Sequence, residues 1–186
     1  MDSNILVFDN FYNNADEVRE HVLTLDFNIL GNYPGRRTIP EPADQKEYLK
    51  SFLETNILHK EITFWPNEYN TSYQYTLEND ETWIHHDDTE WAGVLYLTPN
   101  APYESGTGFY RNIETGIERW NKEDEIDYNN LDEVRDLSKW EQIAFIGNVY
   151  NRLVLYRGYS YHRSVLPGFG KTKETGRLFQ TFFFNT

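Results

Sequence analysis

The sequence predicts a mainly β protein, an antiparallel sandwich or jelly roll with helices on its N-terminal flank. Three observations carry that prediction. Helical periodicity is confined to the first sixty residues, and from Ile62 onward the chain breaks into short runs of aromatic and β-branched residues. Helices first and many short strands after is the order expected of an antiparallel β core with helical flanks. Aromatic residues make up 17% of the chain, and buried rings remove enough surface from water to offset a hydrophobic content of only 39%.

In chain order, Asn4 to Phe8 reads as a short strand. Asp9 to Asn14 is turn-like, and Asn13 or Asn14 can cap a helix over Ala15 to Leu25, where Val18, Val22 and Leu25 recur at helical spacing. Gly31 to Gly35 breaks the pattern. Gln45 to Leu58 is a second helix, with Tyr48, Leu49, Phe52, Leu53 and Leu58 on its apolar face. Strands follow at Thr71–Leu77, Trp83–Asp87 and Trp91–Thr98, then a glycine turn at Ser105–Gly108 leading into Phe109-Tyr110-Arg111. Residues 118–141 are charged and poor in aliphatics, and read as an excursion between strands, a solvated loop or a lid over a site. Strands resume at Gln142–Val149, Arg152–Tyr156, Tyr161–Val165 and Arg177–Phe184.

The 186 residues suit one domain, with a helical flank over 1–60 and a β core over 61–186. There is no cysteine, which excludes disulfides, thiol nucleophiles, iron–sulfur clusters and thiolate zinc sites. No run of apolar residues is long enough to span a membrane, and Met1-Asp2-Ser3-Asn4 lacks a basic segment. These features point to a cytoplasmic protein with no membrane partner. A net charge of −13 opposes phosphate backbones, so nucleic acid is not the expected partner.

The chemistry lies in Trp83-Ile84-His85-His86-Asp87-Asp88. Side chains alternate along a strand, so His85 and Asp87 share a face. A histidine and a carboxylate on one face are two thirds of the 2-His-1-carboxylate set that holds non-haem Fe(II) with open positions, and His162 can complete it. His86 and Asp88 have the same spacing on the opposite face, as outward or substrate-facing groups. His21 and His59 look like ordinary helix residues. Arg177 opens the last strand in a very aromatic context, and a buried guanidinium needs an anion. It either binds the carboxylate of an organic acid or pairs with a surface acid. Arg36 and Arg37 are read as solvated charges on a surface turn; the alternative is that they bind a substrate anion or line the site's entrance.

The order His85-x-Asp87, long gap, His162, then Arg177 resembles the 2-oxoglutarate/Fe(II)-dependent oxygenase superfamily, in its prolyl-hydroxylase-like group. Trp91-Ala92-Gly93-Val94-Leu95-Tyr96, Ser105-Gly106-Thr107-Gly108, and Asn151 to Tyr156 before Tyr161-His162-Arg163-Ser164 are similar to that group's core strands and glycine turn. Phe8 to Tyr12 resembles the start of small bacterial and phage members. The resemblance covers nearly the whole chain and implies a double-stranded β-helix, or jelly roll. It implies His85, Asp87 and His162 as ligands of Fe(II), and Arg177 as the partner of the 2-oxoglutarate C5 carboxylate. It places a supporting tyrosine on the preceding strand, where Tyr73 and Tyr75 share a face; Tyr75 is favoured. The implied activity is a dioxygenase that uses O2 and 2-oxoglutarate, releases succinate and CO2, and hydroxylates a peptide or small molecule. A non-catalytic jelly-roll binding module, a cupin-type metalloenzyme and a hydrolytic zinc site are the alternatives. Should Arg177 not be the anchor, Arg111, Arg152 or Lys171 would take its place.

Overall fold

The computed structural model describes residues 4–121, 134–165 and 168–186. Among them nine strands form two antiparallel sheets. The strands are β1 (Ile5–Phe8), β2 (Arg36–Arg37), β3 (Tyr73–Thr76), β4 (Trp91–Tyr96), β5 (Thr107–Asn112), β6 (Trp140–Ile146), β7 (Leu153–Arg157), β8 (His162–Ser164) and β9 (Arg177–Phe184). The major sheet has the order β1-β7-β4-β9-β3-β2 and the minor sheet β6-β5-β8. This is the mainly β, two-sheet architecture the sequence predicts, and the bounds expected for the last strand are those observed.

Two helices cover the outer face of the major sheet. Helix α1 (Ala15–Thr24) carries Asp16 and Glu17 in its first turn, where the helix dipole favours negative charge, and buries Val22 completely. Helix α2 (Ala43–Leu53) starts after Pro42 and buries Leu49 and Leu53. The sequence predicts that this helix runs to Leu58, but a π turn takes over at Glu54–Leu58. There the Glu54 carboxylate leaves the helix to accept the Ile62 amide at 2.7 Å, and His59 turns left-handed with φ of 50°.

Period-two alternation splits every major-sheet strand between two environments. Leu95, Leu153, Leu155, Leu178, Phe182 and Phe184 pack with Val22, Leu49 and Leu53 beneath the helices. Val94, Tyr96, Val154, Tyr156 and Phe179 face the minor sheet and meet Phe109. A third cluster (Ile84, Tyr110, Trp140 and Tyr161) lies apart from both.

Three details depart from expectation. The first sixty residues form more than a helical flank, because β1 and β2 supply the two edges of the major sheet. Residues 83–87 are extended but make only a single bridge, His85 to His162. The ladder stops there because the facing chain turns away, with Ser160 N–H donating to Arg157 O at 3.0 Å. The acidic excursion is anchored at both ends: Arg119 bridges Ser160, and Trp140 and Glu141 belong to β6. Its middle, 122–133, where a lid would fall, lies outside the described residues. No helix among the described residues is long and apolar enough to cross a membrane.

Candidate metal centre

The bridge that interrupts the ladder assembles a cluster. His85 N–H donates to His162 O at 3.0 Å and His162 N–H returns the bond to His85 O at 2.9 Å, so the two imidazoles sit side by side with centroids 4.4 Å apart. Two residues on, Asp87 N–H donates to Gly158 O at 2.8 Å. Gly158 is required there, since a Cβ would stand 2.2 Å from Thr89 O. Asp87 thereby swings to the same side as His85, and one ligand atom from each of His85, Asp87 and His162 falls within 4.8 Å of the others. Among the described residues this is the only such group of His, Cys, Asp or Glu side chains.

The tautomers follow from the hydrogen bonds. His85 Nδ1 lies 3.0 Å from Trp83 O and His162 Nδ1 lies 2.8 Å from Ser160 O. A carbonyl only accepts, so each Nδ1 carries the proton and each Nε2 keeps its lone pair, as a metal ligand must. His162 Nε2 then faces Asp87 Oδ2 at 3.3 Å. A lone pair and a carboxylate oxygen at that separation call for a positive charge between them. Burial, with His162 alongside, pushes the His85 imidazole down to about 4, which keeps it neutral. Burial works against the Asp87 carboxylate, yet its contact with His162 and the Arg37 guanidinium hold it below the usual range. Two imidazole nitrogens and one carboxylate oxygen suit a divalent cation.

Behind the cluster lies a cavity of about 90 Å³ between the two sheets. Arg177 enters it from the start of β9, only 3% exposed. Its Nε donates to Ser105 O at 3.0 Å, and its guanidinium stacks 4.5 Å from Phe179 and 5.3 Å from Tyr96. No carboxylate pairs with it among the described residues. The expectation that it pairs with a surface acid at the strand mouth is therefore not met. Arg111 is paired with Glu118 and Glu141, and Arg152 with Asp9, so neither of those guanidiniums is available.

Tyr75 is a correction. In the β3–β9 register Gln74 stands beside Phe179 and Tyr75 beside Leu178. Gln74 therefore faces the cavity, and Tyr75 packs on the helix side against Phe27, ring centroids 5.1 Å apart. The tyrosines that line the cavity are Tyr33 and Tyr156 of β7, the latter with its ring centroid 4.5 Å from that of His162. The alternation of β7, with Leu153 and Leu155 apolar on one parity and Tyr156 on the other, was the available signal.

The register question also resolves in space. His86 turns away from the cluster and stacks on Trp120 at 4.7 Å, while the Asp88 side chain is 93% exposed. Arg36 is exposed, as a surface turn requires, whereas Arg37 takes the alternative place at the site's entrance. It lines both the inner cavity and an outer chamber of about 290 Å³ that opens over His85 and Asp87. A two-residue strand is too short for periodicity to show which arginine faces inward.

A family model described as "Family of unknown function (DUF6445)" matches residues 1–184. No curated protein matches the chain in sequence. Among solved structures, HygX from Streptomyces hygroscopicus, with nickel, 2-oxoglutarate and hygromycin B bound, is similar at a TM-score of 0.64 and 11% identity, over 98% of this chain and 82% of that one. A prolyl hydroxylase from Trichoplax adhaerens, in complex with a peptide fragment of hypoxia inducible factor, is similar at 0.58 and 14%, over 97% and 83%. The non-heme alpha ketoglutarate dependent carbocyclase SnoK from nogalamycin biosynthesis follows at 0.56 and 14%, over 97% and 79%. At these identities the likeness shows a shared fold, the jelly roll of 2-oxoglutarate-dependent oxygenases.

Proposed function

The chain belongs to the DUF6445 family, and we propose that it is an Fe(II)- and 2-oxoglutarate-dependent dioxygenase that hydroxylates a small-molecule or peptide substrate. The observation that carries this reading is the joint placement of two features in one cavity. A two-histidine, one-carboxylate set and a buried guanidinium, which has no acidic partner among the described residues, line the same cavity.

His85, Asp87 and His162 would hold Fe(II), with two imidazole nitrogens and one carboxylate oxygen as donors. The Trp83 and Ser160 carbonyls fix both rings, so the ligands need little reorganisation. Arg177 receives the distal carboxylate of 2-oxoglutarate, a planar fork meeting a planar anion. Its Nε is already held by Ser105 O and its face by Phe179, which aims the remaining donors into the cavity. Tyr156 and Thr181 line the same space, and aromatic walls limit water there. Bound iron with 2-oxoglutarate and O2 supplies the oxidising chemistry, with succinate and CO2 as co-products.

The test is anaerobic loading with Fe(II) and 2-oxoglutarate, followed by visible absorption and then exposure to O2 with succinate quantified. A charge-transfer band and succinate are expected. A correctly loaded protein that gives neither would overturn the oxygenase reading in favour of metal storage or hydrolysis.

A further inference from the structure

The mechanism above uses one of the three arginines that line the cavity; Arg163 donates to the Ser164 and Val165 carbonyls, and Arg37 is left without a task. Arg37 sits where the inner cavity and the outer chamber meet, beside His85 and Asp87. We propose that Arg37 is the recognition residue for an oxyanion, a carboxylate or a phosphate group, on a small substrate with a flat apolar body. This deepens the oxygenase reading and rests on it.

The side chain is built into place. Gly35 takes φ of +75° and presses the turn so close to β3 that a Cβ would stand 1.9 Å from Tyr75 O. Gln74 then clamps both ends of the turn: its Nε2 donates to Pro34 O at 2.6 Å and its Oε1 accepts from Arg37 Nε at 2.6 Å. The guanidinium lies 3.7 Å over the Tyr33 ring. A fixed fork loses little entropy on binding, so it suits recognition better than a free surface arginine.

Its charge is unmatched. Among the described residues no carboxylate lies within ion-pair distance of Arg37, and the nearest influence of that sign is Asp87, which the metal claims. Burial disfavours the charged form, so an unpaired cation facing a chamber marks a place for an anion. The one acid on the chamber wall outside the cluster, Asp88, points to solvent.

The chamber supplies the rest of the specificity. Tyr33, Tyr69, Trp83 and Phe183 wall it, which suits an aromatic or other flat body, and its volume of about 290 Å³ is about three times that of the inner cavity. In a chain of net charge −13, Arg37 is the cation on the wall of this chamber, and it separates anionic substrates from neutral analogues of the same shape.

The experiment titrates protein saturated with Ni(II) and 2-oxoglutarate, so that Arg177 is already occupied, by calorimetry. The probes are benzoate, phenyl phosphate and the neutral benzamide. One of the two anions should bind at least tenfold more tightly than benzamide; benzoate as the tighter names a carboxylate substrate, phenyl phosphate a phosphorylated one. Arg37→Met should abolish the preference, Arg37→Lys should keep part of it, and 2-oxoglutarate affinity in both should stay within threefold of wild type. The Lys variant retains the charge and shows that a loss in the Met variant is not a folding defect. The proposal is overturned if neither anion outbinds benzamide, if the preference survives Arg37→Met, or if Arg37→Met weakens 2-oxoglutarate tenfold. A wild-type protein that binds no 2-oxoglutarate overturns the oxygenase reading instead. The same titrations on the metal-free protein then decide Arg37 as an anion site in its own right.

Discussion

The two faces of the major sheet are made by the same strands and have opposite characters. Under the helices, Leu95, Leu155, Phe182 and Phe184 close a dry cluster. On the other face the same strands present Arg177, Thr181, Gln74 and Tyr156 to a cavity. In β9 the switch happens at every residue, with Leu178 and Phe182 on one side and Arg177, Phe179, Thr181 and Phe183 on the other. The dry face supplies the stability that allows the wet face to line a cavity in which Arg177 has no acidic partner among the described residues and His85, Asp87 and His162 come together. The division of labour teaches that a substitution should move either folding or chemistry according to parity alone.

The sharpest break of that comparison is on the wet face. His162→Ala should lower Fe(II) affinity by more than about 100-fold, beyond what loss of a supporting group alone costs, and end succinate formation; a metal titration giving near-normal affinity sinks the ligand assignment. On the dry face, Phe182→Ala should cost about 3–5 kcal/mol of stability in a urea melt. Its folded fraction should bind 2-oxoglutarate as wild type does, and a selective loss of that binding would blur the two faces. Arg177→Ala should raise the apparent 2-oxoglutarate KM roughly tenfold to hundredfold, the range of a charge-assisted bond, while Fe(II) affinity stays within threefold. An unchanged KM moves the anchor elsewhere. The smallest effect is expected of Tyr75→Phe: within about 0.5 kcal/mol in stability, and no change in KM. A raised KM would return Tyr75 to the cavity.

Much of this was legible in the sequence, and the failures share a cause. His85 and Asp87 could be paired because their spacing matches the pleat, although the segment makes only one bridge. The last strand was legible to its ends because Gly176 and the aromatic run bound it. Tyr75 was misplaced because alternation says that two residues share a face but not which face is wet. That depends on pairing with β9, a strand about a hundred residues away. Arg37 could be named as an alternative for the site's entrance but not separated from Arg36, because its position rests on Gly35 and on a glutamine from another strand, neither of which leaves a periodic trace. The helix predicted to Leu58 ended early because Glu54 serves a distant backbone amide, which propensity does not register.

The strand order has a consequence for how the chain comes together in time. β1 pairs with β7, joining Ile5 to Tyr156, and β9, made last of the nine strands, lies inside the major sheet between β4 and β3. An emerging chain therefore carries an unpaired edge and an open slot until β9 has been synthesised. Pairings this remote in sequence slow the search for the native state and lengthen the exposure of sticky strands. The cavity comes into being only when the final strand slides home, so metal capture is expected to follow folding as a distinct, later phase in refolding kinetics.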